Sequence, residues 1–107
     1  MTDFRALRLH QTDTATPDVK IERLTADDLS TGNVLIANEF SSLNYKDALA
    51  VTGKGKIIRH FPMIPGIDAA GVVLESDDPQ FHTGEHVILT GHGVGETNTG
   101  GMSEQVR

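Results

Sequence analysis

The sequence predicts a small, mainly β protein with short helices, built as a barrel with irregular loops. Three observations carry that prediction: apolar residues fall in several short β-rich runs, turn chemistry recurs between them, and only one brief segment has helical spacing. With 107 residues the chain suits one domain and is too short to hold a catalytic domain and a dinucleotide-binding domain together.

Phe4 to His10 alternates imperfectly and reads as a first strand, and Val19 to Leu24 reads as its return across a Thr, Asp and Pro17 loop. Asp27, Asp28, Ser30 and Gly32 then supply turn residues before NVLIANEF, a strand apolar at Val34, Ile36 and Phe40. In SSLNYKDALAVTGKG, the residues Leu43, Asp47, Leu49 and Ala50 can share a helical face, with Gly53 as the stop; a short helix is predicted over Tyr45 to Val51. Gly53 to His60, followed by Pro62, Pro65 and Gly66, reads as loop. Ile67 to Ser76 reads as a buried, strongly bent strand around Gly71, and EHVILT as the next one after the Asp77, Asp78 and Pro79 turn. GHGVGETNTGG is too glycine-rich for a regular element, and a last strand is expected from Met102.

Composition narrows the function classes. The chain is 37% hydrophobic and 22% charged, with 11 glycines and 4 prolines at turns rather than in a low-complexity tract. A formal charge of −6 argues against a nucleic-acid binder, because neutralising phosphates requires clustered Lys and Arg. There is no cysteine, so disulfides, thiolate nucleophiles and cysteine-bearing zinc sites are excluded. The opening MTDFRALRLHQ has no apolar signal core, and no stretch approaches the roughly 18 apolar residues of a membrane span, so a cytoplasmic location without membrane contact is expected.

Five histidines invite a metal reading, with His82 and His86 at i, i+4. Gly84 interrupts a helix there, HVILT reads as strand, and no carboxylate completes a ligand set; no metal site is predicted. GHGVGE lacks the third glycine of a dinucleotide loop and TGKGKII lacks the Walker pattern. Lys54, Lys56 and Arg59 around backbone amides can meet a phosphate-bearing ligand, or stand as solvated cations. SSLNYKDALA and PMIPGIDAAG place polar side chains at element boundaries, where sites often lie. Asn44 can orient a ligand through its amide, Tyr45 can hydrogen-bond through its phenol, and Asp68 can orient as a carboxylate. The same residues have structural readings: Asn44 and Asp47 as helix caps, Tyr45 as an amphipathic core edge, Asp68 as a turn residue.

SSLNYKDALAVTGKGKIIRHFPMIPGIDAAGVV, followed by DPQFHTGEHVILTGHGVGETNTGGMSEQVR, resembles the medium-chain dehydrogenase/reductase superfamily, in particular its acrylyl-CoA reductase and quinone oxidoreductase group. The likeness covers nearly the whole chain and implies an N-terminal, GroES-like, partly open β-barrel over residues 1–107, truncated before the dinucleotide-binding domain. Zinc-dependent members of the superfamily have a cysteine three residues before an aspartate and a histidine after a turn glycine; the corresponding positions hold Asn44, before Asp47, and Ile67, after Gly66. Neither side chain suits zinc, and the cysteine-rich structural-zinc lobe is absent too, so the resemblance implies a metal-free branch.

That branch implies NADPH-dependent hydride transfer to the C=C bond of a short enoyl-CoA such as acrylyl-CoA, with quinone reduction as the alternative. Tyr45 and Asn44 are then the cofactor-facing and catalytic candidates, Asp68 a further catalytic candidate, and Asp47 a structural residue. The whole enzyme is expected to be a homo-oligomer acting on a small molecule, and residues 1–107 alone are expected to be inactive. A non-enzymatic GroES-like interaction module is the alternative of another class, since fold does not fix function.

Overall fold

A computed structural model describes residues 3–58 and 60–107. Strands β1 (Phe4–His10) and β2 (Asp18–Leu24) form an antiparallel hairpin. A 3-10 turn (Ala26–Asp28) leads to β3 (Val34–Ser41), helix α1 (Tyr45–Thr52), β4 (Asp68–Ser76), β5 (His86–Thr90) and the short β6 (Gln105–Val106). The last four strands make one antiparallel sheet in the order β5-β4-β3-β6.

Isolated bridges close the two sheets toward each other, Ala6 to Ser103 and Leu9 to Met63, and this leaves a partly open barrel. The Leu9 to Met63 bridge is a reciprocal backbone pair, with N···O distances of 2.7 and 3.0 Å. Phe4, Ala6, Leu24, Leu29, Leu35 and Ile64 pack as one buried cluster under the hairpin. Ile36, Ala69 and Val106 pack as a second, flanked by Val34, Val87 and Leu89. Both exclude water from one side of strands whose other side stays wet, which is why burial alternates along β4.

The predicted bend at Gly71 has a specific cause. The register of β3 against β4 shifts between Asn38 and Phe40, opposite Gly71 and Ala70. A Cβ on Gly71 would stand 2.1 Å from the Ala37 carbonyl oxygen, so only glycine lets the backbones approach this closely.

Four expectations need correction. Leu43 is 81% exposed and lies before α1, because Asn44 caps the helix and ends the extended segment there. Phe40, read as an apolar position of β3, is 72% exposed; a register shift between Leu35 and Ile36 breaks the alternation and buries both of those instead. Leu74 is also exposed, so β4 is half-buried rather than fully buried. The last strand begins at Gln105, not Met102: Met102 donates to Pro65 O at 3.0 Å and Ser103 bridges Ala6, so that stretch is paired elsewhere before it reaches β3.

Candidate active site

Helix α1 starts where a capping box fixes it. The Asp47 carboxylate accepts from the Asn44 backbone N–H at 2.9 Å, and the Asn44 side chain faces the Asp47 backbone N–H in return. Gly53, at φ 73°, ends the helix in the left-handed conformation that glycine adopts freely. Asp47 is 1% exposed, and its other oxygen accepts the Ile67 N–H at 3.2 Å. One buried carboxylate thus joins the helix start to the turn that precedes β4, as its structural reading requires.

Asn44, Asp68 and two hydroxyls meet at this junction. Asp68 opens β4, and its Oδ2 accepts from Ser42 Oγ at 2.8 Å and from Asn44 Nδ2 at 3.0 Å. Its Oδ1 accepts from Thr90 Oγ1 at 2.7 Å. Asn44 Nδ2 also donates to Ser42 Oγ at 2.7 Å. The hydroxyl of Thr90, then that of Ser42, hold the Asp68 carboxyl below its usual range; partial burial opposes them and the Asn44 amide adds to them. At neutral pH the cluster therefore contains a carboxylate saturated with donors, a polariser of its neighbours rather than a proton store.

Tyr45 stands apart from that network. It is the first residue of α1, 79% exposed, and its hydroxyl has no hydrogen-bond partner among the described residues. Next to it Lys46 pairs with Glu96 at 3.4 Å, linking α1 to the glycine-rich loop. That loop in turn wraps the Pro65–Gly66 turn through Gly101 N to Gly66 O at 2.9 Å and Gly100 N to Ile64 O at 2.8 Å.

The structure thus brings Asn44 and Asp68 into contact and sets Tyr45 beside them with its ring toward solvent. Ser42 and Thr90 were not among the sequence candidates. Ser42 was accessible to inspection, two residues before Asn44 in a polar run; Thr90 was not, since it reaches Asp68 only through the β4–β5 register that pairs the two residues.

The donor set can be compared with the groups the resemblance implies. An exposed phenol ring beside a fixed polar cluster can pack on a planar heteroaromatic ring and hydrogen-bond its substituents, which fits the nicotinamide end of a dinucleotide. It does not fit zinc: the Asn44 amide nitrogen faces Asp68 and Ser42 as a donor, and Ile67 carries no ligand atom. Among the described residues no three His, Cys, Asp or Glu side chains gather as a metal site; His82 and His86 are exposed, and His86 Nδ1 lies 3.9 Å from Glu39. Lys54 and Lys56 are exposed loop residues, and Arg59 lies outside the described residues. No helix among the described residues is long and apolar enough to cross a membrane.

A partly open antiparallel barrel whose connecting segments carry a polar cluster at one rim is the architecture of a GroES-like domain. The chain belongs to the alcohol dehydrogenase GroES-like domain family, which matches residues 30–107, within the medium-chain dehydrogenase/reductase superfamily. It is 56% identical over 104 residues to the probable acrylyl-CoA reductase AcuI of Escherichia coli strain K12, covering 97% of this chain and 32% of that protein. It is 44% identical over 86 residues to YhfP of Bacillus subtilis strain 168, which bears a quinone-oxidoreductase name, covering 80% of this chain and 26% of that one. The yhdH oxidoreductase of Salmonella enterica, solved in complex with NADP, superimposes with a TM-score of 0.92 at 55% identity, over 96% of this chain and 32% of its own. The chain therefore spans a third or less of the length of these relatives.

Proposed function

We propose that residues 1–107 form the catalytic domain of a zinc-independent, NADPH-dependent oxidoreductase that reduces the C=C bond of a short enoyl-CoA such as acrylyl-CoA. The observation that carries this reading is the Asp68 cluster, in which Asn44, where the resemblance places the metal-binding cysteine of zinc-dependent relatives, is tied up by hydrogen bonds instead. The name of the E. coli relative supports the substrate, and the NADP bound in the Salmonella relative supports the cofactor.

Bound NADPH supplies the hydride equivalent for the β-carbon of the activated alkene. What this chain contributes is orientation. Asp68 holds the Asn44 amide, the amide and Asp47 hold the start of α1, and Tyr45 offers an exposed ring and an uncommitted phenol to the nicotinamide end. The Asn44 amide nitrogen donates into the cluster, whereas the exposed phenol has no partner among the described residues and is free to meet a ligand. The nucleotide-binding part of such an enzyme is expected outside these residues, and residues 1–107 alone are expected to turn over no substrate. The whole enzyme is further proposed to be a cytoplasmic homo-oligomer.

Quinone reduction is the second reading, supported by the name of the B. subtilis relative. Comparing NADPH oxidation by the whole enzyme with acrylyl-CoA and with small quinones separates the two. A higher kcat/KM for acrylyl-CoA, with propionyl-CoA as product, is expected; activity on quinones alone would refute the enoyl-CoA assignment. Absence of activity with either, together with assembly into a ring, would favour a GroES-like interaction module.

A further inference from the structure

Thr90 enters the polar cluster from β5, a strand that carries none of the sequence candidates. It is the register partner of Asp68, with the end of β5 facing the start of β4. Its Oγ1 donates to Asp68 Oδ1 at 2.7 Å, while Ser42 and Asn44 take Oδ2 at 2.8 and 3.0 Å. A carboxylate turns about its terminal torsion with little intrinsic preference, so donors on both oxygens are needed to fix its plane.

The fixed plane has consequences along the chain. Asn44 Nδ2 donates into the pair formed by Asp68 Oδ2 and Ser42 Oγ, at 3.0 and 2.7 Å. Turning that amide over would aim its carbonyl oxygen at a carboxylate, acceptor against acceptor, so the Asp68 charge decides its orientation. The same Asn44 caps α1, whose first residue is Tyr45. Constraint therefore runs from Thr90 through Asp68 and Asn44 to the residue that faces outward.

We propose that Thr90 is a positioning residue of the nicotinamide site: its hydroxyl clamps Asp68 so that Asn44 and the start of α1 present Tyr45 in one geometry. What Tyr45 contacts rests on the hydride-transfer reading, but the clamp does not. Thr90→Val keeps the β-branched shape that suits a strand and removes the donor, and Thr90→Ser keeps the donor. Thr90 is exposed at a strand end, so both variants are expected to fold, as circular dichroism would check.

In the whole enzyme, NADPH affinity by fluorescence titration and steady-state kinetics with acrylyl-CoA are measured side by side. Thr90→Val is expected to bind NADPH about fivefold more weakly and to lose about tenfold in kcat, with KM for the acyl substrate nearly unchanged. Thr90→Ser is expected within about twofold of wild type, and Ser42→Ala, which loosens the other side of the clamp, should move in the same direction as Thr90→Val. A Thr90→Val enzyme equal to wild type in both measurements, or a Thr90→Ser enzyme as impaired as Thr90→Val, would overturn the proposal. A wild type that binds NADPH but reduces neither acrylyl-CoA nor quinones would sink the functional reading instead, and the affinities would still decide the role of Thr90.

Discussion

Asp47 and Ile67 are joined by a hydrogen bond of 3.2 Å from the Ile67 backbone N–H to a carboxylate that is 1% exposed. The same carboxylate accepts from Asn44 N–H, so one side chain satisfies two backbone donors that lie 23 residues apart in the chain. Asp47→Ala leaves both donors without partners. We expect a loss of about 2–4 kcal/mol in urea denaturation, since an abandoned buried donor costs more than the hydrogen bond it made. Asp47→Asn should cost less, because its amide oxygen can still accept one of the two.

Tyr45 should behave in the opposite way. At 79% exposure its replacement by Ala is expected to change stability by less than about 0.5 kcal/mol. In the whole enzyme the same variant should weaken NADPH binding roughly tenfold, as loss of one aromatic contact and one polar contact would. Parallel thermal melts and cofactor titrations would check the split; a variant that melts early but binds normally would make Tyr45 structural.

Glycine substitutions should separate close approach from backbone freedom. Gly71→Ala must push against the Ala37 carbonyl oxygen at 2.1 Å and should cost about 1–3 kcal/mol. Gly84→Ala has open space around the new methyl and only its φ of 91° to oppose it, so about 1 kcal/mol is expected. Denaturation midpoints of the two variants would give the order.

The Asp68 carboxyl is held below its usual range, first by Thr90 and then by Ser42, with Asn44 assisting against partial burial. A group whose folded pKa is depressed adds stability above its unfolded pKa and loses it as pH falls through the folded value. Asp68 is therefore expected to stabilise the domain throughout the neutral range and to stop doing so only below the ordinary carboxylate range. Glu22, held down chiefly by His10, and Glu104, held down chiefly by the Arg5 backbone N–H, act in the same direction. The contribution of Asp68 is thus the difference between wild type and Asp68→Asn in denaturation midpoint against pH. That difference should shrink on acidification; one that grew would reverse the assignment.

Much of this fold was legible because local rules and tertiary packing agree. The turn residues between Leu24 and Val34, the strand in NVLIANEF and the stop at Gly53 all describe what is found, but the alternation within that strand does not: a register shift between Leu35 and Ile36 buries both, and Phe40 is exposed. Leu43 misled because an apolar residue at helical spacing counts toward a face whether or not the helix has begun, and the Asn44 cap excludes it. Asn44 and Asp68 were legible as polar residues at element boundaries, but their contact was not. It depends on a β3–β4 register that sets Ser41 opposite Ala69, as the Thr90 contact depends on the β4–β5 register, and register is a property of paired strands rather than of either sequence alone.

We propose that hydrogen bonds among Asp68, Asn44 and Ser42 stand where zinc-dependent relatives hold a catalytic metal. The direct test is NADPH-dependent reduction of acrylyl-CoA by the whole enzyme before and after exhaustive chelation, with bound metal quantified by elemental analysis. Unchanged turnover at less than about one metal per ten active sites is expected. Turnover that vanishes on chelation and returns with added zinc would contradict it.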